Sequence, residues 1–355
     1  MEKKEKAIFI AAGGTGGHIS PGVALAEGFL KKKVRVVFFS LEKDRDYPDL
    51  ERLRMFEGVH VVFYKAPPLP SKVWLWPRFA KNLILSLGQV REQHKLYQVV
   101  AAIGMGGYPA FPLLLYSKFM KIPYFLCEQN SVMGFVSQLF AKRAQKVFLS
   151  FPMKTNASHY VFTGNPLRSQ FQKKVVVRKP TSFRKILIVG GSQGARDLNE
   201  LYLRMIEDPF FENWQIILST GKNHYHAIYP KKRKKDQILP FITDMPRFLT
   251  NCDVVLCRAG SGTLYEVIWA QKPSVLFPFP YATKNHQYYN ALYLKEQGVS
   301  EIIDIRPFSA KEAVCRLKEI LQSHKLKEMA DAVAQKKVLP LTAHEVIVNE
   351  VLQLA

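Results

Sequence analysis

The chain has 355 residues, 48% of them hydrophobic and 23% charged, an ordinary globular mixture that excludes disordered, collagen-like and disulfide-scaffold classes and predicts two domains at this length. Its 51 lysines and arginines against 29 acids give a net charge of +22, which favours an anionic partner: a phosphate ligand, a nucleic acid or a membrane surface. With 23 bases and 11 acids in residues 1–163 and 28 and 18 in 164–355, the surplus is spread over both halves and forms no basic arm.

Cys127, Cys252, Cys257 and Cys315 show no C-x-x-C or zinc-finger spacing, which predicts reduced thiols and no structural metal. No apolar run reaches the roughly 18 residues that span a bilayer. The charged start, Met1 to Lys6, leads into only six apolar residues before Gly13, so neither a signal peptide nor a transmembrane helix is expected.

From the N-terminus, short β-branched runs alternate with helix-length stretches: 7–11, 34–39, 59–64, 99–103, 124–126 and 146–149. The rhythm restarts at 186–189 and continues through 215–218, 254–256 and 274–277. This pattern predicts βαβ units and an α/β architecture of two Rossmann-like, doubly wound parallel-sheet domains facing a cleft. The predicted division is 1–163 and 164–342, with a C-terminal helix at about 343–355 packing back on the first domain. A hinge is expected near Thr163-Gly164-Asn165-Pro166, and a second linker at Lys173 to Pro180.

In each half the first strand runs into a glycine turn and then a helix, at Gly13-Gly14-Thr15-Gly16-Gly17-His18 and at Gly190-Gly191-Ser192-Gln193-Gly194. Such turns let backbone approach a ligand and aim helix-start N–H groups at an anion. The NAD pattern G-x-G-x-x-G fails at its third glycine, and no G-x-x-x-x-G-K-[ST] occurs. His18, where turn becomes helix, is either a proton acceptor facing the ligand or a histidine that caps locally.

The one Asp-x-Asp, Asp44-Arg45-Asp46, falls in a charged loop and reads as solvent-exposed rather than metal-binding. Residues 58–91 hold no acid and five bases, Lys65, Lys72, Arg78, Lys81 and Arg91, among Trp74, Leu75, Trp76, Phe79, Leu83 and Ile84. From Pro77, Phe79, Leu83, Leu87 and Val90 share one helical face. The stretch is either a membrane contact or a crossover helix with a plain core stripe.

Further on, the run Lys231-Lys232-Arg233-Lys234-Lys235 reads as a solvated loop. Arg258-Ala259-Gly260-Ser261-Gly262-Thr263-Leu264-Tyr265-Glu266 follows an apolar strand and opens a helix. Glu266 there either accepts hydrogen bonds from ribose hydroxyls or merely complements the helix dipole. A polar cluster, Thr283-Lys284-Asn285-His286-Gln287 and Asn290, suits neutral sugar hydroxyls.

The two glycine turns, with Gly104-Met105-Gly106-Gly107-Tyr108, Glu128-Gln129-Asn130, Gly164-Asn165-Pro166-Leu167-Arg168 and Arg258 to Glu266, stand in the order found in the MurG-type glycosyltransferases of the GT-B fold. Nearly the whole chain resembles that family. The resemblance implies inverting transfer of N-acetylglucosamine from UDP-N-acetylglucosamine to the C4 hydroxyl of lipid I, undecaprenyl-pyrophosphoryl-N-acetylmuramyl-pentapeptide. The product is lipid II of peptidoglycan synthesis, with a β-1,4 bond.

It also implies that Ile242, Glu266 and Ser192 meet uracil, ribose and phosphate, with Arg258, Ser261, Gly262, Thr263, Leu264, Tyr265, His286 and Gln287 around the donor. Thr15, Gly16, Gly17, Asn130 and Arg168 complete that site. The acceptor would lie near Gly14, Gly106, Gly107 and Tyr108, with His18 as base and Glu128 as rival base or orienting partner. Helix N-termini and arginines, not a metal, would neutralise the leaving diphosphate. No cofactor is expected.

Trp74, Trp76, Phe79, Lys81 and Leu83 would touch an anionic membrane, placing the chain peripherally on the cytoplasmic face of the plasma (inner) membrane among other cell-wall synthesis proteins. Two departures are visible: Pro109-Ala110-Phe111 replaces smaller residues, and His286 stands where some members carry glutamine. Competing readings are another GT-B enzyme, such as a lipid glycosyltransferase or a UDP-sugar 2-epimerase, and a basic nucleic-acid-binding protein. The last has only the charge in its favour and no recognisable nucleic-acid module.

Overall fold

Strand β1 (Lys6–Ala11) is exposed at its first residue and buried at the next five, and β2 (Arg35–Leu41) repeats the pattern over seven. Continuous burial marks strands covered on both faces, the condition for a parallel sheet. The computed structural model describes residues 4–68, 70, 72–155, 157–171, 184–191 and 193–354, which form two compact units, Met1–Ser169 with Pro340–Ala355 and Gln170–Leu339.

In the first unit β1 and β2 are joined by β3 (Val59–Tyr64), β4 (Gln98–Gly104), β5 (Tyr124–Glu128), β6 (Val147–Leu149) and β7 (Tyr160–Phe162), in the order β3-β2-β1-β4-β5-β6-β7. Every neighbouring pair is parallel. The connections carry α1 (Gly16–Lys31), α2 (Pro48–Leu53), α3 (Trp76–Leu96), α4 (Phe111–Phe119) and α5 (Phe135–Ala141). One sheet face packs with α1 and α2 through Ile19, Val23, Phe29, Leu50 and Leu53, the other with α3 to α5 through Val90, Leu113, Leu114, Val136 and Phe140.

The second unit repeats the plan with β8 (Lys185–Val189), β9 (Gln215–Ser219), β10 (Gln237–Leu239), β11 (Val254–Cys257), β12 (Ser274–Leu276) and β13 (Ser300–Ile302), ordered β10-β9-β8-β11-β12-β13 and again parallel throughout. Its helices are α6 (Arg196–Glu207), α7 (Tyr225–Ile228), α8 (Met245–Asn251), α9 (Ser261–Trp269), α10 (His286–Glu296), α11 (Ala310–Gln322) and α12 (Lys325–Gln335). In both sheets the winding reverses beside the first strand, between β1 and β4 and between β8 and β11, where open α/β sheets bind ligands.

The Thr163–Pro166 turn, read as the hinge, is built into the first unit. Both Thr163 and Gly164 donate their N–H groups to the Leu149 carbonyl at 3.1 Å, and Asn165 is fully buried. The linker expected at Lys173–Pro180 lies outside the described residues. Cys127, Cys252 and Cys257 are buried free thiols, and burial pushes the last two up to about 12, which keeps them protonated and inert.

Helix α13 (Ala343–Leu354) docks on α1, where bare Gly28 lies under Val348; a Cβ at Gly28 would come within 2.9 Å of it. At the start of α13, His344 is buried, and that burial holds its imidazole below the ordinary histidine value. The unfolded chain therefore takes up a proton that the folded chain resists. Stability should be level above about pH 6.5 and fall as the pH drops below it toward the depressed folded value. Burial lowers His94 too, adding to the same slope. Thermal melts across that range should show a shallower loss for His344→Leu, and an unchanged slope would assign the loss to other groups.

Candidate functional site

Each unit presents its own set of ligand-facing loops at the carboxyl ends of its strands. In the first, β1 ends in a turn that places Gly14 at φ +85° and Thr15, in extended conformation, as the N-cap of α1. No acidic side chain occupies the first turn of α1, and Thr15 makes no side-chain cap. Asp44, read above as solvent-exposed, is buried beneath this turn. It accepts hydrogen bonds from Gly14 N at 2.7 Å and Ser40 Oγ at 3.3 Å, and any Cβ at Gly13 would crowd its Oδ2 at 2.8 Å. The carboxylate is satisfied by partners that lie near in space and that loop composition does not reveal.

The β4 loop comes against the β1 loop. Gly106 and Gly107 adopt φ +81° and +67°, a conformation that glycine takes without strain. The Tyr64 hydroxyl donates to the Pro109 carbonyl and so pins the turn formed by Tyr108–Ala110. Tyr108 lies beside Gly14. His18 sits between the two loops, half-buried, with Nδ1 2.9 Å from Oε1 of Gln129. The structure thus brings together His18, Gly14, Gly106, Gly107 and Tyr108.

Glu128, at the end of β5, is 2% exposed, and its two oxygens accept from Asn130 N at 3.2 Å and Gly134 N at 3.0 Å. Its carboxylate organises the loop that carries Asn130. The residue that holds the His18 ring is Gln129, which sequence reasoning passed over because a buried amide beside a glutamate has no spacing signature. Arg168 closes the first unit, half-buried, one residue before Ser169.

In the second unit the turn after β8 needs glycine for space: a Cβ at Gly194 would strike the Thr220 carbonyl, and one at Gly221 the Gln193 carbonyl. Ser192, expected at a phosphate, lies outside the described residues. Arg258, expected among the donor contacts, gives two hydrogen bonds of 2.5 Å to the Asp197 carboxylate near the start of α6. It also donates to the Phe277 and Pro278 carbonyls at 3.1 and 3.3 Å and lies 5.4 Å from the Phe279 ring centroid. Arg258 therefore braces three loops against one another.

Helix α9 begins at Ser261 after the Gly260 N-cap, with no acid in its first turn. The Ser261 hydroxyl is buried and has no hydrogen-bond partner among the described residues. Leu264 and Tyr265 are fully buried, so their side chains belong to the core, whereas Gly262, Thr263 and Glu266 are partly exposed. Asn290 Nδ2 holds the Ala259 carbonyl at 3.2 Å, and Gln287 Oε1 accepts from Phe279 N at 3.0 Å. His286 Nδ1 lies 2.9 Å from the Thr283 carbonyl, and Ile242 is 2% exposed.

At the other end of α3 from the β4 strand, Val73, Trp74 and Trp76 are exposed, as are Ile84 and Leu85, while Phe79 and Leu83 are half-buried. The core stripe on this helix is fully buried only at Ser86 and Val90. Lys72 Nζ sits 4.9 Å from the Trp74 ring centroid. Among the described residues no helix is long and apolar enough to cross a membrane. In the basic run, Arg233 is no solvated residue: it binds Asp236 and the Phe211 and Trp214 carbonyls at 2.7 to 3.0 Å, and buried Asp236 also accepts from Tyr202 and Ile216.

The glycosyltransferase family 28 N-terminal domain matches residues 8–149, and the family 28 C-terminal domain matches residues 185–344. A UDP-N-acetylglucosamine–N-acetylmuramyl-(pentapeptide) pyrophosphoryl-undecaprenol N-acetylglucosamine transferase of Leptospira interrogans is 34% identical over 84% of this chain and 86% of its own length. Its namesake in Acetivibrio thermocellus is 32% identical over 91% and 92%. Among solved structures, MurG of Acinetobacter baumannii superposes with a TM-score of 0.76 at 24% identity, covering 98% of this chain and 99% of that one. A UDP-N-acetylglucosamine 2-epimerase superposes at 0.64 with 14% identity over 99% and 96%. The backbone is thus shared by transferases and epimerases alike.

Proposed function

The chain belongs to glycosyltransferase family 28, with the MurG transferases, and on that premise we propose that each of its two units carries one substrate of a sugar transfer. It is a glycosyltransferase that moves N-acetylglucosamine from UDP-N-acetylglucosamine to lipid I, forming lipid II for the cell wall. The donor belongs on the second unit, at the starts of α6 and α9, where the unpartnered Ser261 hydroxyl supports it. The acceptor belongs on the first, at the paired glycine turns.

The observation that carries the chemistry is His18, held between those turns by Gln129. In our reading His18 takes the proton of the C4 hydroxyl of the N-acetylmuramyl sugar. That oxygen attacks the anomeric carbon from the face opposite UDP, the bond to the diphosphate breaks with its electron pair, and a β-1,4 bond results. Dipoles at helix starts take up the charge that develops on the leaving diphosphate, with no metal required.

Radiolabelled UDP-N-acetylglucosamine incubated with a lipid I analogue, with and without a chelator, tests this. Label should pass to the lipid at the same rate in both, with UDP released. Epimerised nucleotide sugar formed without acceptor would establish the epimerase reading instead.

The exposed tryptophans, the acid-free stretch from 58 to 91 and the family's lipid-linked acceptor support a peripheral site on the cytoplasmic face of the membrane. Cosedimentation with anionic vesicles should fall by about tenfold or more for the combined variant Trp74→Ala, Trp76→Ala, Lys81→Ala, since two buried indoles and one charge each contribute about 1 kcal/mol or more. Undiminished binding would place the contact elsewhere on the chain.

A further inference from the structure

We infer that Gln129 is a positioning residue that fixes His18 in the Nδ1–H tautomer and thereby makes Nε2 the nitrogen that receives the acceptor's proton; this rests on the reading of His18 as the base. Gln129 is 1% exposed, and both ends of its amide are engaged. Its Nε2 lies 3.0 Å from the Cys127 carbonyl oxygen, which only a donor can satisfy. The amide oxygen must then face His18 Nδ1, at 2.9 Å, and an oxygen there accepts a hydrogen bond only if Nδ1 carries the proton.

The backbone carbonyl of β5 therefore dictates, through one amide, which imidazole nitrogen keeps its lone pair. Free neutral imidazole favours the opposite form, with the proton on Nε2, so the protein is selecting the minor tautomer. On the other edge of the ring the β4 loop presents the bare backbone of Gly106 and Gly107. A Cβ at Gly107 would stand 3.4 Å from Nε2, and one at Gly106 3.4 Å from Cε1, both at positive φ. When the acceptor hydroxyl gives its proton to Nε2, the resulting imidazolium keeps its Nδ1–H bond to Gln129 and later returns the Nε2 proton to water.

The tautomer is read directly by nitrogen-15 NMR of the imidazole in the whole enzyme above its titration. His18 should show a protonated Nδ1 and an unprotonated Nε2, and a protonated Nε2 in the wild-type protein would overturn the assignment whether or not any variant folds. Gln129→Met, close in shape but without an acceptor, should move the proton to Nε2. It should lower kcat about ten- to hundredfold, as when outer partners of metal-bound imidazoles are removed, with KM for both substrates within about twofold. Gln129→Glu keeps an acceptor oxygen toward Nδ1 and, when protonated on its other oxygen, the donor that the Cys127 carbonyl needs, so it should restore the tautomer and recover more of kcat than Gln129→Met. Equal loss in the Met and Glu variants, or a change confined to KM, would show a packing role instead. Near-wild-type turnover in His18→Ala would overturn the base assignment and this inference with it, whereas an inactive His18→Ala alongside an Nε2–H ring in the wild type would overturn the role of Gln129 alone.

Discussion

His18→Ala is expected to lower kcat by about a hundredfold to ten-thousandfold, the range that a positioned general base contributes, while KM for donor and acceptor stays within a few-fold. The expectation rests on where the ring is. It lies between two glycine turns at the switch point of the first sheet, with one nitrogen engaged by Gln129. The ring fills no core position, so its removal leaves the sheet and its helices intact, and the loss should appear in the chemical step. Glu128→Gln provides the contrast. Its carboxylate oxygens hold Asn130 N and Gly134 N, so that variant should disturb the first-unit loop carrying Asn130 and raise acceptor KM. Steady-state kinetics on the two variants separate the roles. Near-wild-type kcat in His18→Ala, with collapse of kcat in Glu128→Gln, would transfer the base to Glu128.

Asp197→Ala should be the most damaging change in the second unit. The Arg258 and Asp197 side chains are only 12% and 17% exposed, so the pair is largely withdrawn from water and lightly screened. Removing the carboxylate leaves a guanidinium bound only to backbone carbonyls. Breaking a buried pair from one side costs about 3–5 kcal/mol, against almost nothing for a surface pair. For a unit of this size that corresponds to a fall in melting temperature of roughly 10 °C. Because Arg258 begins the loop that leads into Ser261, donor KM should rise as well, whereas acceptor KM should not. Calorimetry and donor titration check both parts. A melting temperature within a degree or two of wild type would mean that the ion pair contributes no more than an exposed one.

Most of the architecture was legible from the chain alone, and the exceptions have a common cause. The strands that the sequence reading passed over, Tyr160–Phe162, Gln237–Leu239 and Ser300–Ile302, are three residues long, and each lies at an edge of its sheet. An edge strand is covered incompletely and need not be apolar, so it lacks the run of buried residues by which β1 and β8 announce themselves. The membrane stretch shows the same limit from the other side. Periodicity from Pro77 marked a stripe shared by Phe79, Leu83, Leu87 and Val90, yet it could not say that Ile84, Leu85, Trp74 and Trp76 would stay exposed.

Sequence by itself determined what depends on near neighbours along the chain: the parallel α/β class, both glycine turns with the histidine that follows the first, and the ordered motifs of the family. A backbone turn and a hydrophobic period are properties of a few consecutive residues, so they survive in one dimension. Only the tertiary structure decided which groups meet across long separations. Asp44 lies under Gly14, Gln129 stands behind His18 at a distance of 111 residues, and Asp197 meets Arg258 across 61. Each of these pairs satisfies a buried polar group, and the sheet order, not the spacing of residues, brings its two halves together.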